Sequence, residues 1–172
     1  MIRLTLISFL LICTVFSQAQ PKMRYSIDDK KSIGYFEEAI GYYQLHLAME
    51  AEQLLSKAIE RTPEFCEAYL LRAELVLSMG RTADAMADLQ RVTEINPRGF
   101  SEAFFYLGDL KMRQEAYTEA LQLFEQFRAS GSTNEHLKKR NELMIRSAAF
   151  AQEAKRAPVD FKPVNLGSTI NT

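Results

Sequence analysis

The residue types suited to acid–base, nucleophilic or metal chemistry are few in this chain and far apart. Catalysis needs a nucleophile, a base and a charge-stabilising group converging on one point. The two histidines, His46 and His136, are well separated, and Cys66 has no histidine near it at helical spacing. Glu37-Glu38 and the other carboxylates alternate with lysines and arginines, which is how an exposed helix face is solvated. The glycines form no phosphate-cradling loop, and no run of His, Cys, Asp or Glu has metal-ligand spacing. No catalytic residue, metal ligand or cofactor site is assigned, and the chain is read as a non-enzyme that works through its surface.

The elements presenting that surface must fit into 172 residues, room for one ordinary domain. Arg3, the apolar run Leu4 to Phe16 and the small residues Ser17 and Ala19 have the three-part pattern of a secretory leader. The run falls well short of the roughly 20 residues a membrane helix needs. Cleavage after Ala19 is expected, with delivery to a periplasm or an outer membrane. Removing Arg3 leaves 20 basic residues against 22 acidic ones. That near-balance argues against nucleic acid or anionic lipid as a partner. Cys66 then becomes the lone thiol. It either fills a helix–helix contact as a small residue or pairs with a second chain.

Internal periodicity decides the architecture. Ala51, Leu55, Ala58 and Pro63 each lie 34 residues before Ala85, Leu89, Val92 and Pro97. Tyr35, Ala39 and Tyr42 stand in the same relation to Tyr69, Ala73 and Val76. A third copy follows one residue out of register, with Phe104, Leu107, Gly108, Ala120, Phe124 and Phe127. Apolar residues recur at helical spacing within each copy, as in Leu70, Ala73, Val76 and Leu77. The alanines let two helices approach closely. Gly80 provides the left-handed residue that ends a helix, and Pro63 and Pro97 are placed to open the helix after them. Each copy is thus a helical hairpin whose apolar face is buried only by stacking on the next.

These positions resemble the tetratricopeptide repeat, whose signature is an aromatic, Leu-Gly, Tyr, Ala, Phe, Ala and a closing Pro. The resemblance covers residues 32–65, 66–99 and 101–134. It departs from the signature in lacking tryptophan, in Glu38 and Arg72 at leucine positions, in Lys111 for the tyrosine, and in the missing third proline. It implies an all-α, right-handed superhelix of three hairpins. Residues 20–31 are expected to form a flexible lead-in to about Ile27 and then the start of the first helix, with Asp28-Asp29 suiting its N-terminus. A capping helix is expected over 135–156, opened by a Ser132/Glu135 capping box. Leu137, Met144, Ala148 and Ala151 form its inner stripe, and Leu143, Phe150 and Ala154 a neighbouring one. Lys138-Lys139-Arg140 reads as solvated face.

The last stretch, 157–172, reads as an extended tail or linker. Pro163-Val164-Asn165-Leu166-Gly167 with Ile170-Asn171 resembles the junction between a tetratricopeptide region and a β-propeller in bacterial envelope proteins. Those proteins often carry an OmpA-like peptidoglycan-binding domain beyond it, and some serve type IX secretion or gliding. A disordered end is the other reading of this segment.

Such arrays bind extended peptides along a concave face lined by the first helix of each pair. The resemblance places Ile33, Phe36, Ile40 and Tyr43 there from the first copy. Glu67, Leu70, Glu74 and Leu77 follow from the second, and Glu102, Phe105, Asp109 and Met112 from the third. The family's carboxylate clamp of lysines and asparagines is absent: its rows hold Phe36, Leu70 and Phe105, then Ile40, Glu74 and Asp109. The groove instead offers an apolar strip beside four carboxylates, suited to a protein or peptide carrying aliphatic or aromatic groups next to Lys or Arg. Phe36, Leu70 and Phe105 are equally open to being core, or to being covered by the chain's own tail. The expected role is a protein-interaction adaptor in a larger envelope complex. An accessory domain of an envelope enzyme and a homo-oligomer joined through the last helix are the alternatives.

Overall fold

A computed structural model describes residues 25–157. The expected leader 1–19, residues 20–24 of the expected lead-in and the expected tail from 158 lie outside the described residues. Among the described residues seven helices follow one another: α1 (Lys30–Gln44), α2 (Ala48–Arg61), α3 (Cys66–Ser78), α4 (Thr82–Ile95), α5 (Glu102–Arg113), α6 (Tyr117–Ala129) and α7 (Glu135–Arg156). Among the described residues there is no strand. α1–α2, α3–α4 and α5–α6 pack as hairpins, α2 stacks on α3 and α4 on α5, and α7 closes the end against α6 and α5.

The same turn is built three times. Its left-handed residue is Gly80 (φ 78°) in the second hairpin, but His46 (φ 59°) and Glu115 (φ 57°) in the other two. Each turn is locked by one bond of the same kind: Leu47 N–H to Tyr42 O, Arg81 N–H to Val76 O, and Ala116 N–H to Lys111 O, at 2.9–3.0 Å. His46 and Glu115 therefore hold a conformation that disfavours a side chain. Aligning them with Gly80 would have exposed this in the sequence.

Pro63 and Pro97 do not open helices. They sit in the inter-hairpin turns after Thr62 (φ −134°, ψ 88°) and Asn96 (φ −145°, ψ 75°), whose backbones have left the helical region that a following proline disfavours. α3 starts only at Cys66 and α5 at Glu102. The alanines behave as their size predicts: Ala39, Ala51, Ala85 and Ala120 are fully buried and Ala73 nearly so. Gly108 is more demanding still, since a Cβ there would lie 2.7 Å from Cε1 of the buried Phe124.

Asp29 caps α1. Its carboxylate accepts the Ser32 N–H at 2.8 Å and Arg61 Nε at 2.7 Å. Arg61, then the Ser32 N–H and hydroxyl, hold this carboxyl well below the usual carboxylate range. The lead-in is not free from Tyr25 onward, because Tyr25 and Ile27 pack on the core. α7 is capped by Asn134, whose Oδ1 accepts the Leu137 N–H at 3.1 Å, and not by Ser132. Ser132 Oγ turns instead to Glu102 Oε1, at 3.2 Å, while Glu135 pairs with Lys138.

Arg72, at a leucine position of the repeat, has a physical explanation. Its guanidinium donates to both oxygens of the buried Asp88 (2.8 and 2.6 Å) and to Ser56 Oγ (3.2 Å), and lies 5.6 Å from the Tyr69 ring centroid. A buried charge is tolerated only when paired in this way.

Candidate functional site

The concave face is built from α1, α3 and α5. Helical periodicity places the predicted groove residues on those helices, but stacking determines which of them stay accessible. Phe36 (6% exposed) and Phe105 (1%) are not groove residues, because both are core. The Phe36 ring packs on Phe65 at 5.0 Å between centroids, and Phe105 packs on Phe124 and Phe127 at 5.8 Å. Arg140 lies 5.2 Å from the Phe105 centroid, so one member of the basic run on α7 is stacked on the core. Ile33, Ile40 and Tyr43 are half-buried on the first core cluster, and Met112 packs beside the second.

The other six predicted residues come together. Glu67, Leu70, Glu74 and Leu77 of α3 face Glu102 and Asp109 of α5 across an elongated cleft of about 570 Å³. Its walls and floor also take in Leu71, Leu89, Tyr106 and Leu110. Leu89 was missed as a cleft residue because it belongs to α4, a second helix, and Tyr106 because the groove position was assigned to its neighbour Phe105. Leu77 (37% exposed) and Tyr106 (45%) present apolar surface to water.

The four carboxylates form two matching rows. Glu67 and Glu74 are seven residues apart on α3, as are Glu102 and Asp109 on α5, and seven residues advance a helix by about 10.5 Å. The cleft thus has an acidic pair toward each end and leucine side chains between. Among the described residues only Asp109 has a cationic partner, Arg113 at 2.9 Å and largely exposed. Glu67 accepts both the backbone N–H (2.8 Å) and the hydroxyl (2.5 Å) of Ser26. Glu74 accepts the Tyr43 hydroxyl at 2.7 Å, and this hydrogen bond is the main reason the Tyr43 phenol titrates above its ordinary value.

Elsewhere, reactive groups are dispersed or covered. Cys66 is fully buried where α3 begins, and burial pushes its thiol up to about 11. Pairing with a second chain would require this part of the fold to open. His46 and His136 are exposed on separate elements. Among the described residues no cluster of three His, Cys, Asp or Glu is placed to hold a metal ion, and no helix is long and apolar enough to cross a membrane.

Residues 67–98 match the family model described as tetratricopeptide repeat. No curated protein matches the chain. Among solved structures it is similar to the Sgt2 TPR domain from Aspergillus fumigatus, with 18% identity, 86% of this chain and 99% of that one covered, and a TM-score of 0.63. It is similar to the Yersinia enterocolitica type III secretion chaperone SycD in complex with a peptide of the translocator YopD: 12% identity, 74% and 98% covered, TM-score 0.64. The TPR2B domain of yeast Sti1, in its pHsp70 complex, gives 19% identity, 70% and 97% covered, and a TM-score of 0.60.

Proposed function

We propose that this chain, whose second repeat matches the tetratricopeptide model and whose fold is similar to tetratricopeptide structures, is a non-catalytic adaptor that binds a peptide segment in the α3–α5 cleft. The observation that carries this reading is the cleft itself: leucines and Tyr106 left exposed between two pairs of carboxylates. Exposed apolar surface rimmed by charge is the usual mark of a binding site. Here it suits a segment with aliphatic or aromatic side chains beside Lys or Arg. Neighbours of the same fold support the class of partner, since SycD is bound to a YopD peptide and the Sti1 domain to pHsp70. The preformed cleft keeps the ordering cost of binding low.

The envelope setting belongs to the same proposal. It rests on the secretory pattern of residues 1–19 and on the resemblance of 163–171 to a propeller junction, and places the adaptor in the periplasm or at the outer membrane within a larger secretion- or gliding-type subunit. N-terminal sequencing of the protein recovered from fractionated cells tests the export. The coding sequence beyond Thr172 tests the junction: a hydrolase there would favour the accessory-domain reading. A homo-oligomer through α7 is favoured by one observation, Leu143 (55% exposed) and Phe150 (76%) on its outer face; sedimentation over a concentration series decides it.

The cleft is tested with a fluorescein-labelled peptide of alternating Lys and Leu, read by anisotropy. Leu77→Ala with Tyr106→Ala should weaken binding about tenfold or more, since buried apolar anchors dominate such interfaces, with the melting temperature nearly unchanged. Equal binding by the parent and the variant, or an equal affinity for the Glu/Leu counterpart, would remove this function.

A further inference from the structure

No described element covers the outer face of α7. Leu137, Asn141 and Ala148 turn inward, and the opposite side carries Lys139, Leu143, Arg146 and Phe150. At helical pitch these four share a stripe about 60° wide. Leu143 is 55% exposed and Phe150 76%. Among the described residues neither Lys139 nor Arg146 forms an ion pair. The nearest carboxylates of the helix, Glu142 and Glu153, flank the stripe rather than interrupt it.

This basic, apolar face is the complement of the acidic, apolar cleft, and the two share a spacing. Lys139 and Arg146 are seven residues apart, as are Leu143 and Phe150. Seven residues span about 10.5 Å of helix, the interval between Glu67 and Glu74 on α3 and between Glu102 and Asp109 on α5. We propose that α7 of a second copy docks lengthwise in the α3–α5 cleft; this rests on the peptide-binding reading above and makes the ligand an amphipathic helix of the chain itself. Laid along the cleft, the helix brings Lys139 to one acidic pair and Arg146 to the other, with its apolar residues against Leu70, Leu77 and Tyr106. An apolar stripe read at turn-by-turn spacing is how grooves take up helices. Because α7 is packed on α5 and α6 of its own chain, its outer face is available only to another copy. Stripe against stripe, two α7 helices would bring their cations together, whereas the cleft offers carboxylates. Helix and cleft are different surfaces of one chain, so the contact is heterologous.

Sedimentation of the full chain over a concentration series should show a mass rising above the monomer, and a monomer throughout overturns the proposal. Two variants then separate the surfaces. Leu77→Ala with Tyr106→Ala damages the cleft and leaves α7 intact, while Leu143→Ala with Phe150→Ala, at exposed positions, does the reverse. Each alone should self-associate about tenfold more weakly or less still. An equimolar mixture should nevertheless form a dimer, because the intact helix of one meets the intact cleft of the other. A mixture no more associated than its components overturns the proposal. So does a cleft variant that associates as the parent does, which assigns the contact to α7 against α7. The labelled Lys/Leu peptide, added to the α7 variant, reports on the cleft alone. Binding there beside a monomeric parent removes only the self-docking. Failure to bind there overturns the peptide-binding reading instead, and the mixture still decides whether the helix docks.

Discussion

Between α1 and α3 the concave face is closed over by aromatic rings, whereas between α3 and α5 it stays open. Both clefts are built from equivalent repeat positions. In the first copy those positions hold Ile33 and Ile40, in the second Glu67 and Glu74, and in the third Glu102 and Asp109. Isoleucines can be covered, and Tyr25, Phe36 and Phe65 gather beside them. Carboxylates facing one another resist desolvation, so the second cleft stays open and leaves Leu77 and Tyr106 exposed. Two charged positions per repeat thus separate a stretch of core from a site.

The strongest way to break this comparison is Phe105→Ala. If the ring is core, the variant loses about 3–5 kcal/mol in denaturant unfolding; a loss below about 1 kcal/mol would return Phe105 to the groove. Next is Asp88→Ala, which strips Arg72 of its carboxylate partner across the α3–α4 hairpin. An expected loss of about 2–3 kcal/mol, measured the same way, would establish that the Arg72–Asp88 pair supports the α3–α4 hairpin. A smaller effect concerns Cys66, at the sealed end of α3. Burial raises its thiol from 9.0 to about 11, so the unfolded chain loses this proton first. The stabilisation is full below pH 9 and is lost as pH rises toward 11. A thiol reagent at neutral pH should label Cys66 only as the protein unfolds, and rapid labelling of the folded protein would contradict the seal. The smallest is Tyr43→Phe, which removes the one hydrogen bond reaching from α1 to Glu74. It should cost about 0.5–1 kcal/mol in thermal melts, and a larger loss would mean that α1 helps build the open cleft.

Much of the fold was legible in the residues. The 34-residue offset, the alanines and Gly80 specify hairpins that must stack, and helical spacing put Glu67, Leu70, Glu74 and Leu77 on one face and Glu102 and Asp109 on the next. These are local properties, since a helix's period says which side chains share a face whatever lies opposite. Other features were beyond such reasoning. Phe36 and Phe105 share the periodicity of accessible residues, and their burial follows from Phe65, Phe124 and Phe127 arriving from other elements. The partner of Arg72 lies on the next helix. The docking of Tyr25 and Ser26 on α1, α3 and the turn between hairpins has no periodic signal. Leu89 enters the cleft from a helix the repeat assigns to the other layer. Periodicity set the direction of each side chain, but accessibility depends on what the stack brings against it, and that is a property of the assembled chain.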